Sequence, residues 1–305
     1  MRALSKYTLM AICIIAYACC AGQSAPPMAQ YPSPMKEEVR KHDRITFDIT
    51  TGTVITLDSI LSKPVTVYVP KKLQQTSSAD LLIHFHGLPY VVAYAAEQYK
   101  GNVVAAVINL GSGSGVYANE FKNAALLEQL ERAIVTALSK HYGHLFQRQR
   151  LLLSGFSAGY GAIRSILQEE RLFNKVHAVL LLDGLHASYI PERKVLAEGG
   201  SIDSISLRPF VQFAAEAANL HSGKKFLFTH SEIFPGTFVS TTEAANYLLR
   251  QLHIEIRPVL KWGPGGMQQI SEASKGNCTV MGFAGNSAPD HVDHFHNLYY
   301  FLNRL

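Results

Sequence analysis

The hydrophobic positions of this chain change their spacing near Ala79. Before that residue, short segments alternate apolar and polar residues or are rich in β-branched ones, and Gly, Ser or Pro interrupts them: "RITFDIT", "GTVITL" and "KPVTVYVP". Such alternation over about 4–8 residues, bounded by turn residues, is typical of strands. The early part of the folded chain is therefore predicted to be an antiparallel lead-in.

After Ala79, continuous apolar segments alternate with amphipathic ones. The apolar segments predict strands at 81–87, 102–111, 150–157, 176–184 and 224–231. The amphipathic segments predict helices over about 119–141, from the end of the third of these strands to about 170, near 207–220 and over 242–252. Strands that are apolar throughout need cover on both faces. The alternation therefore predicts an α/β fold with a mostly parallel sheet and helices on both sides, in three layers.

The first 43 residues do not follow this pattern. Arg2 and Lys6 precede the apolar run "LMAICIIAYA", whose end "AYA" is a small-x-small cleavage pattern, so 1–18 are predicted to be a signal peptide for export. Cys19 follows directly, as in bacterial lipoprotein signals, where such a cysteine is lipidated. Release into the periplasm or medium and lipid anchoring to the cell envelope both remain open. Residues 19–43 contain four prolines among small and charged residues and predict a tether, with the folded domain at 44–305.

Cysteine count and charge exclude some classes of protein. Of the four cysteines only Cys278 lies in the predicted domain, so a disulfide framework is not expected. Without Arg2 and Lys6, 26 basic residues face 23 acidic ones, a balance too small to predict a nucleic-acid partner. The N-terminal apolar run is too short to span a bilayer comfortably, so membrane association is expected only through a lipid at Cys19.

The segment "LLLSGFSAGYGAIRS" (151–165) carries the first candidate chemistry. Its pentapeptide "GFSAG" matches G-x-S-x-G and lies between a predicted strand and a predicted helix. There the serine occupies a sharp turn that only small neighbours tolerate, and its hydroxyl serves as a nucleophile. Ser157 is therefore the candidate nucleophile, against the alternative of a small residue in a tight turn. The helix N-terminus also makes the N–H of Ala158 a candidate oxyanion donor.

Later segments offer a base and an acid. In the closing segment "NSAPDHVDHFHNLYYFL", His291 stands where a loop enters a helix and His294 lies one turn further in, so His291 is the preferred base and His294 the second choice. Asp183 ends the apolar run "LLLDG", where a carboxylate is costly to bury without a partner such as an imidazole N–H. Glu232 is the alternative acid.

The sharp turn at "GFSAG" is called the elbow below. The order Ser157, Asp183, His291, with "HFHGLP" ahead of the elbow, resembles the α/β-hydrolase superfamily, broadly its esterase and lipase branch, over about 44–305. The resemblance implies the three-layer α/β-hydrolase fold. It also implies that the His-Gly loop supplies the second oxyanion donor, the N–H of Gly87 or Leu88.

The same resemblance bears on the acid and on the reaction. The acid of this fold usually follows the strand after next from the serine, which points to Glu232, whereas a minority such as pancreatic-type lipases carry it one strand earlier, at the position of Asp183. The implied activity is that of a serine carboxylesterase that acts through an acyl-enzyme, without a cofactor, on a small-molecule or polymer-linked ester.

Three other interpretations remain open. One is a metal-dependent hydrolase built from the nitrogen and oxygen donors of two clusters: His84, His86, Asp290, His291, Asp293, His294 and His296. In the esterase interpretation, His86 shapes its loop, His296 lies on a helix face, and Asp290 and Asp293 cap the helix. A second interpretation is a catalytically inactive binding module with a hydrolase fold. The third takes "GSGSG" (111–115) as a nucleotide loop, although its spacing is not G-x-G-x-x-G and a loop on the rim of the active site is preferred. Substrate choice is expected to lie in 185–206 and around Tyr90 and Tyr117.

Overall fold

A computed structural model describes residues 51–73 and 76–305 of the chain. The predicted signal peptide, the tether with Cys19 and the first predicted strand, "RITFDIT", lie outside these residues. The strands are β1 (Thr53–Leu57), β2 (Val65–Val69), β3 (Ser78–Phe85), β4 (Val103–Ile108), β5 (Gln147–Phe156), β6 (Ala178–Leu182), β7 (Tyr189–Ile190), β8 (Ser201–Ile202), β9 (Lys225–His230), β10 (Arg257–Trp262), β11 (Gln268–Lys275) and β12 (Cys278–Phe283). The α-helices are α1 (Pro89–Gln98), α2 (Ser114–Glu120), α3 (Ala124–Tyr142), α4 (Tyr160–Leu167), α5 (Glu170–Lys175), α6 (Ser204–Ala218), α7 (Thr241–Gln251), α8 (Ala288–His296) and α9 (Leu298–Leu302).

Ten of these strands form one sheet in the order β1-β2-β4-β3-β5-β6-β9-β12-β11-β10. The central six, from β4 to β12, run parallel, and antiparallel pairs flank them at both edges. The antiparallel lead-in is confirmed, since β1 pairs with β2 and β2 with β4. Strands β7 and β8 form a separate two-stranded ribbon.

Both faces of the sheet are covered. Along β3, Leu81 and Ile83 belong to the hydrophobic core on one face, while Leu82 belongs to the core on the other. The first core takes its helical side chains from α2 through α7, and the second takes them from α1, α8 and α9. This double cover explains why the central strands are apolar at successive positions. The predicted three-layer α/β-hydrolase fold is confirmed by this arrangement.

Several predicted boundaries were wrong. The helix expected over 119–141 is two helices, because α2 ends at Glu120 and the side chain of Asn123 caps the start of α3 by accepting the N–H of Ala125. The helix expected up to about 170 ends earlier, at Leu167, and a further helix, α5, begins at Glu170. The hairpin of β10 and β11 was not predicted.

The parallel strands place the candidate site. Because β3, β5, β6 and β9 run in one direction, the residues that follow them meet at one edge of the sheet. His86, Ser157, Asp183 and Ser231 all lie at that edge, directly after their strands or one residue beyond. The crevice at the carboxyl ends of such strands is where open α/β sheets bind ligands.

Candidate active site

Ser157 occupies a strained turn between β5 and α4. Its φ of 46° lies in the left-handed region, which costs energy for a residue other than glycine. The turn needs its glycines, because a Cβ on Gly159 would overlap the backbone carbonyl of Phe85 in β3, and one on Gly155 would lie 3.0 Å from the carbonyl carbon of Gly159. The predicted position of Ser157, between a buried strand and a helix, is confirmed.

Asp183 directly follows β6 and is completely buried among hydrogen-bond donors. Its Oδ1 accepts the N–H of Ser231 at 2.9 Å and the hydroxyl of Thr241 at 2.6 Å, while its Oδ2 accepts the hydroxyl of Ser231 at 2.7 Å. The imidazole of His291 contacts Oδ2 at 2.8 Å. Burial alone raises the pKa of this carboxyl, but the imidazoles of His294 and His291 and the donated hydrogen bonds outweigh burial and hold the pKa well below its usual range. Asp183 is therefore a carboxylate.

His291 lies in the first turn of α8 and is also completely buried. Since a carboxylate only accepts, the Nδ1 of His291 carries the proton that Asp183 receives, and this leaves Nε2 as an acceptor. Within the described ranges, Nε2 has no hydrogen-bond partner. The imidazole packs against Phe156, the residue before Ser157, with ring centroids 4.6 Å apart. The geometry thus unites the predicted base with the predicted acid beside the elbow.

The second-choice base, His294, has other contacts. Its Nδ1 lies 2.8 Å from the hydroxyl of Thr229 in β9, and the edge of its ring meets Phe283. Burial lowers the pKa of His294 to about 4, so this imidazole is neutral. Neither His294 nor His291 is among the residues that line the cleft described below, so the contact of His291 with Asp183 is what distinguishes the two histidines. His296, expected on a helix face, is buried.

The start of α8 and the alternative acid also differ from expectation. The N-cap is Ser287, whose hydroxyl accepts the N–H of Asp290 at 3.5 Å while the carboxylate of Asp290 accepts the N–H of Ser287 at 3.0 Å. Asp290 therefore belongs to a capping box and is not the N-cap, and neither is Asp293, which is buried in the helix. Glu232 is exposed and accepts the N–H of Gly285 at 3.3 Å.

In the His-Gly loop, one of the two candidate oxyanion donors is already hydrogen-bonded. The N–H of Gly87 donates to the Oδ1 of Asn109 at 2.7 Å, and the side-chain amide of Asn109 donates back to the carbonyl of Gly87 at 2.6 Å. The Gly87 N–H is therefore occupied, which corrects its candidacy as an oxyanion donor. Leu88 is the N-cap of α1, where a backbone N–H has no acceptor within the helix. Leu88 remains as the loop's candidate, opposite Ala158 at the start of the elbow helix.

The two histidines of "HFHG" hold this loop. His84 contacts the hydroxyl of Ser154 through Nδ1 and the carbonyl of His86 through Nε2, both at 3.1 Å. His86, at a φ of 70°, contacts the hydroxyl of Tyr117 at 2.9 Å and stacks on Phe156. Burial lowers the pKa of His84 to about 3 and that of His86 to about 4, so both are neutral. Their contacts match the expected loop-shaping role of His86.

Ser157 opens into a cleft of about 1040 Å³. Loops after β3 and β4, the elbow, the segment after β6 and the start of α6 form its walls. The lining residues are Lys63, His86, Gly87, Leu88, Asn109, Gly111, Ser112, Gly113, Ser114, Tyr117, Ser157, Ala158, Tyr160, Arg164, His186, Ala187, Ser188, Asp203, Ser206 and Phe238. The "GSGSG" segment thus lies on the cleft wall, as preferred, and part of 185–206 contributes as expected.

Sequence reasoning missed three residues that shape the site: Ser231, Thr241 and Asn109. Two carried a local signal. Thr241 follows the N-cap in "STTE", a capping-box pattern that marks the start of α7. Asn109 directly follows the apolar strand β4. Ser231 had no such signal, because its role depends on β9 lying beside β6.

No protein-family model and no curated protein sequence match the chain. Solved structures do match. A feruloyl esterase module from Clostridium thermocellum, complexed with sinapinate, is 10% identical at a TM-score of 0.48. The match covers 89% of this chain and 96% of that one. A ferric enterobactin esterase from Salmonella typhimurium is 13% identical at a TM-score of 0.46, and the match covers 85% of this chain and 60% of that one. A fungal esterase from Rhizomucor miehei is 12% identical at 0.45, with coverage of 86% and 85%. The strand order and the elbow, and not these distant likenesses, define the fold as that of an α/β hydrolase.

Two further findings for the described part of the chain concern the metal-dependent interpretation and membrane association. Within 51–73 and 76–305, no three His, Cys, Asp or Glu side chains are grouped so that they could hold a metal ion. In the same residues, no helix is both long and apolar enough to cross a bilayer.

Proposed function

We propose that this protein is an exported serine carboxylesterase, with Ser157 as nucleophile, His291 as base and Asp183 as acid. The observation that carries the proposal is the buried Asp183–His291 contact beside a strained Ser-containing elbow. The Nε2 of this imidazole is buried at the edge of the sheet where Ser157 lies, and no described residue forms a hydrogen bond with it. A neutral imidazole oriented by a carboxylate is what a serine nucleophile requires.

The proposed reaction begins with attack by the Oγ of Ser157 on the ester carbonyl carbon while the Nε2 of His291 accepts the hydroxyl proton. The N–H groups of Ala158 and Leu88 donate to the oxyanion that forms on the carbonyl oxygen. His291 then protonates the leaving alcohol as the C–O bond breaks, which leaves an acyl ester on Ser157. Water, deprotonated by His291, releases the acid and restores Ser157. Asp183 stabilises the imidazolium in both halves.

The site of action belongs to the same proposal. The N-terminal pattern at 1–18 supports export, and Cys19 supports either release or a lipid anchor on the envelope. The proposed substrate is a small-molecule or polymer-linked ester that enters the cleft beside Ser157.

Covalent labelling tests the proposal directly. We expect a fluorophosphonate probe to modify Ser157 in the folded protein and hydrolysis of 4-nitrophenyl acetate to disappear in Ser157→Ala. The matched control is Ser274→Ala, because Ser274 is exposed on β11, far from the cleft lining. Absence of label at Ser157 would favour an inactive binding module. Activity that is lost on chelation and restored by zinc would favour the metal-dependent alternative.

A further inference from the structure

Two cationic side chains line the cleft without a hydrogen-bond or ion-pair partner among the described residues. Arg164 lies on α4, the helix that follows the nucleophile, and Lys63 lies in the loop between β1 and β2. Neither forms a hydrogen bond or an ion pair with any other described residue. Three other arginines, by contrast, are paired with carboxylates: Arg148, Arg150 and Arg171. A half-buried guanidinium whose N–H groups meet no protein acceptor is suited to bind an anion.

Packing restricts the position of Arg164. Its guanidinium carbon lies 5.5 Å from the centroid of the Tyr160 ring, within the range of a cation–π contact. Tyr160 is itself buried and lines the same cleft. The guanidinium of Arg164 is therefore held near an aromatic ring at the border of the cleft.

The cleft is more cationic than anionic. Among its lining residues, one carboxylate, Asp203, accompanies the two cationic side chains. Asp203 is the N-cap of α6 and accepts the N–H of Ile205 at 3.1 Å. The positive end of the helix dipole therefore partly compensates its negative charge. The structure gives no ion pair between Asp203 and either cation.

The helix sets the distance from the nucleophile. Ser157 and Arg164 are seven residues apart along a short helical turn and α4, which corresponds to roughly 10–12 Å along the axis. A ligand of about this length in the cleft would therefore reach from Ser157 to Arg164, both of which line it.

We propose that Arg164, assisted by Lys63, binds a carboxylate carried by the substrate, so that the enzyme prefers esters with an anionic group within about 10 Å of the scissile carbonyl. This inference rests on the proposed esterase function. It specifies a substrate class, namely half-esters of dicarboxylic acids or esters of carboxylate-bearing alcohols.

The test compares matched substrates. On the acyl side, the 4-nitrophenyl monoester of adipic acid is compared with the same compound capped as a methyl ester. On the alcohol side, 4-acetoxybenzoate is compared with its methyl ester. We expect kcat/KM of one anionic substrate to exceed that of its neutral partner, and we expect that ratio to fall roughly 10- to 100-fold in Arg164→Gln, as for loss of a hydrogen-bonded charge. The pair that responds shows which side of the ester carries the carboxylate.

Three further variants sharpen the result. Arg132→Gln makes the same change of charge on the exposed face of α3, outside the cleft, and should leave the ratio within about twofold of wild type. Lys63→Gln should lower the ratio by a smaller factor than Arg164→Gln. Asp203→Asn keeps an N-cap residue and removes a competing charge, so the ratio should rise. Raising NaCl from about 20 mM to about 500 mM should reduce the ratio in wild type.

A ratio near one for both pairs in wild type, or a ratio that Arg164→Gln leaves within about twofold, overturns the inference while hydrolysis itself goes on. A binding measurement separates the two proposals. Calorimetry of monomethyl adipate with Ser157→Ala, against the same protein carrying Arg164→Gln, needs no turnover. Weaker binding in the second protein supports the carboxylate site even if no ester is hydrolysed, and equal binding refutes it.

Discussion

Replacing Asp183 with Asn removes the negative charge of the proposed acid and nearly preserves its shape. Asp183 accepts four hydrogen bonds, two on each oxygen. Asn offers only one accepting oxygen, so its amide group has to face one of those two pairs of donors. If the carbonyl keeps the N–H of Ser231 and the hydroxyl of Thr241, the amide points at Nδ1 of His291. That nitrogen then has to accept, and the proton moves to Nε2.

An Nε2 that carries a proton cannot take one from Ser157. We therefore expect kcat of Asp183→Asn to fall by roughly 10³- to 10⁴-fold, which corresponds to about 4–5.5 kcal/mol in the activation barrier. Hydrolysis of 4-nitrophenyl acetate measures kcat, and the rate of fluorophosphonate labelling at Ser157 reports nucleophile activation independently. A thermal melt of each variant confirms that the protein being assayed is folded.

Glu232→Gln is the matched control, since it makes the same chemical change at the alternative acid. We expect kcat of Glu232→Gln to stay within about threefold of the wild-type value, because Glu232 is exposed and hydrogen-bonds to the loop at Gly285. If Glu232→Gln lost activity while a folded Asp183→Asn retained more than about a tenth of it, the assignment of the acid would be wrong.

Three further predictions follow from the buried groups. His291→Asn should lower kcat of ester hydrolysis at least 10³-fold. His294→Asn removes the contact with Thr229, so it should lower the unfolding free energy, measured by urea denaturation, by about 1–3 kcal/mol. Its kcat should fall less than about tenfold. Equal losses of kcat would refute the choice of base. The buried ammonium of Lys224 donates to the carbonyls of Phe173 and Val176, both at 2.8 Å. Lys224→Met should therefore lower the unfolding free energy by about 1–3 kcal/mol, and Lys225→Met, the control, should lower it less. The lowered pKa values of the buried His86, His186 and His294, each about 4, mean that the unfolded chain binds protons first as pH falls. Stability should therefore be complete above about pH 6.5 and decline towards pH 4, and a flat pH profile of the unfolding free energy would contradict this.

The sequence was a good guide wherever burial alone determines the pattern. The central strands are apolar on both faces, so their ends could be located. Ser157 is a candidate because of the G-x-S-x-G pattern at such an end, and Asp183 because it interrupts an apolar run. The edge strand β10 was missed because its residues are mostly exposed, among them Leu260 and Trp262, and no regular apolar face marks it. Its register against β11 also shifts between Pro258 and Lys261.

The rest of the site depends on contacts between distant parts of the chain. Whether His291 or His294 faces the acid is decided by how α8 packs against β9 and β12, which the spacing of two histidines on one helix does not encode. The occupation of the Gly87 N–H by Asn109 likewise depends on β4 lying beside β3. Neighbouring strands in a parallel sheet come from separate stretches of sequence, so their partners are not local information.

The four hydrogen bonds on Asp183 bear on how this site could have changed during descent. The carboxylate is held jointly by the ends of two adjacent strands, because β6 carries it and β9, through Ser231, supplies two of its donors. Exchanging the two side chains, Asp183→Ser with Ser231→Asp, would shift the charge by about one strand spacing, roughly 4.8 Å, within the same polar pocket. The elbow has no such freedom, since Gly159 and Gly184 press directly on the backbones of Phe85 and Ser157. For comparing proteins of this fold, the strand that bears the carboxylate is thus a weak marker of common descent, and the serine turn packed between glycines is a strong one.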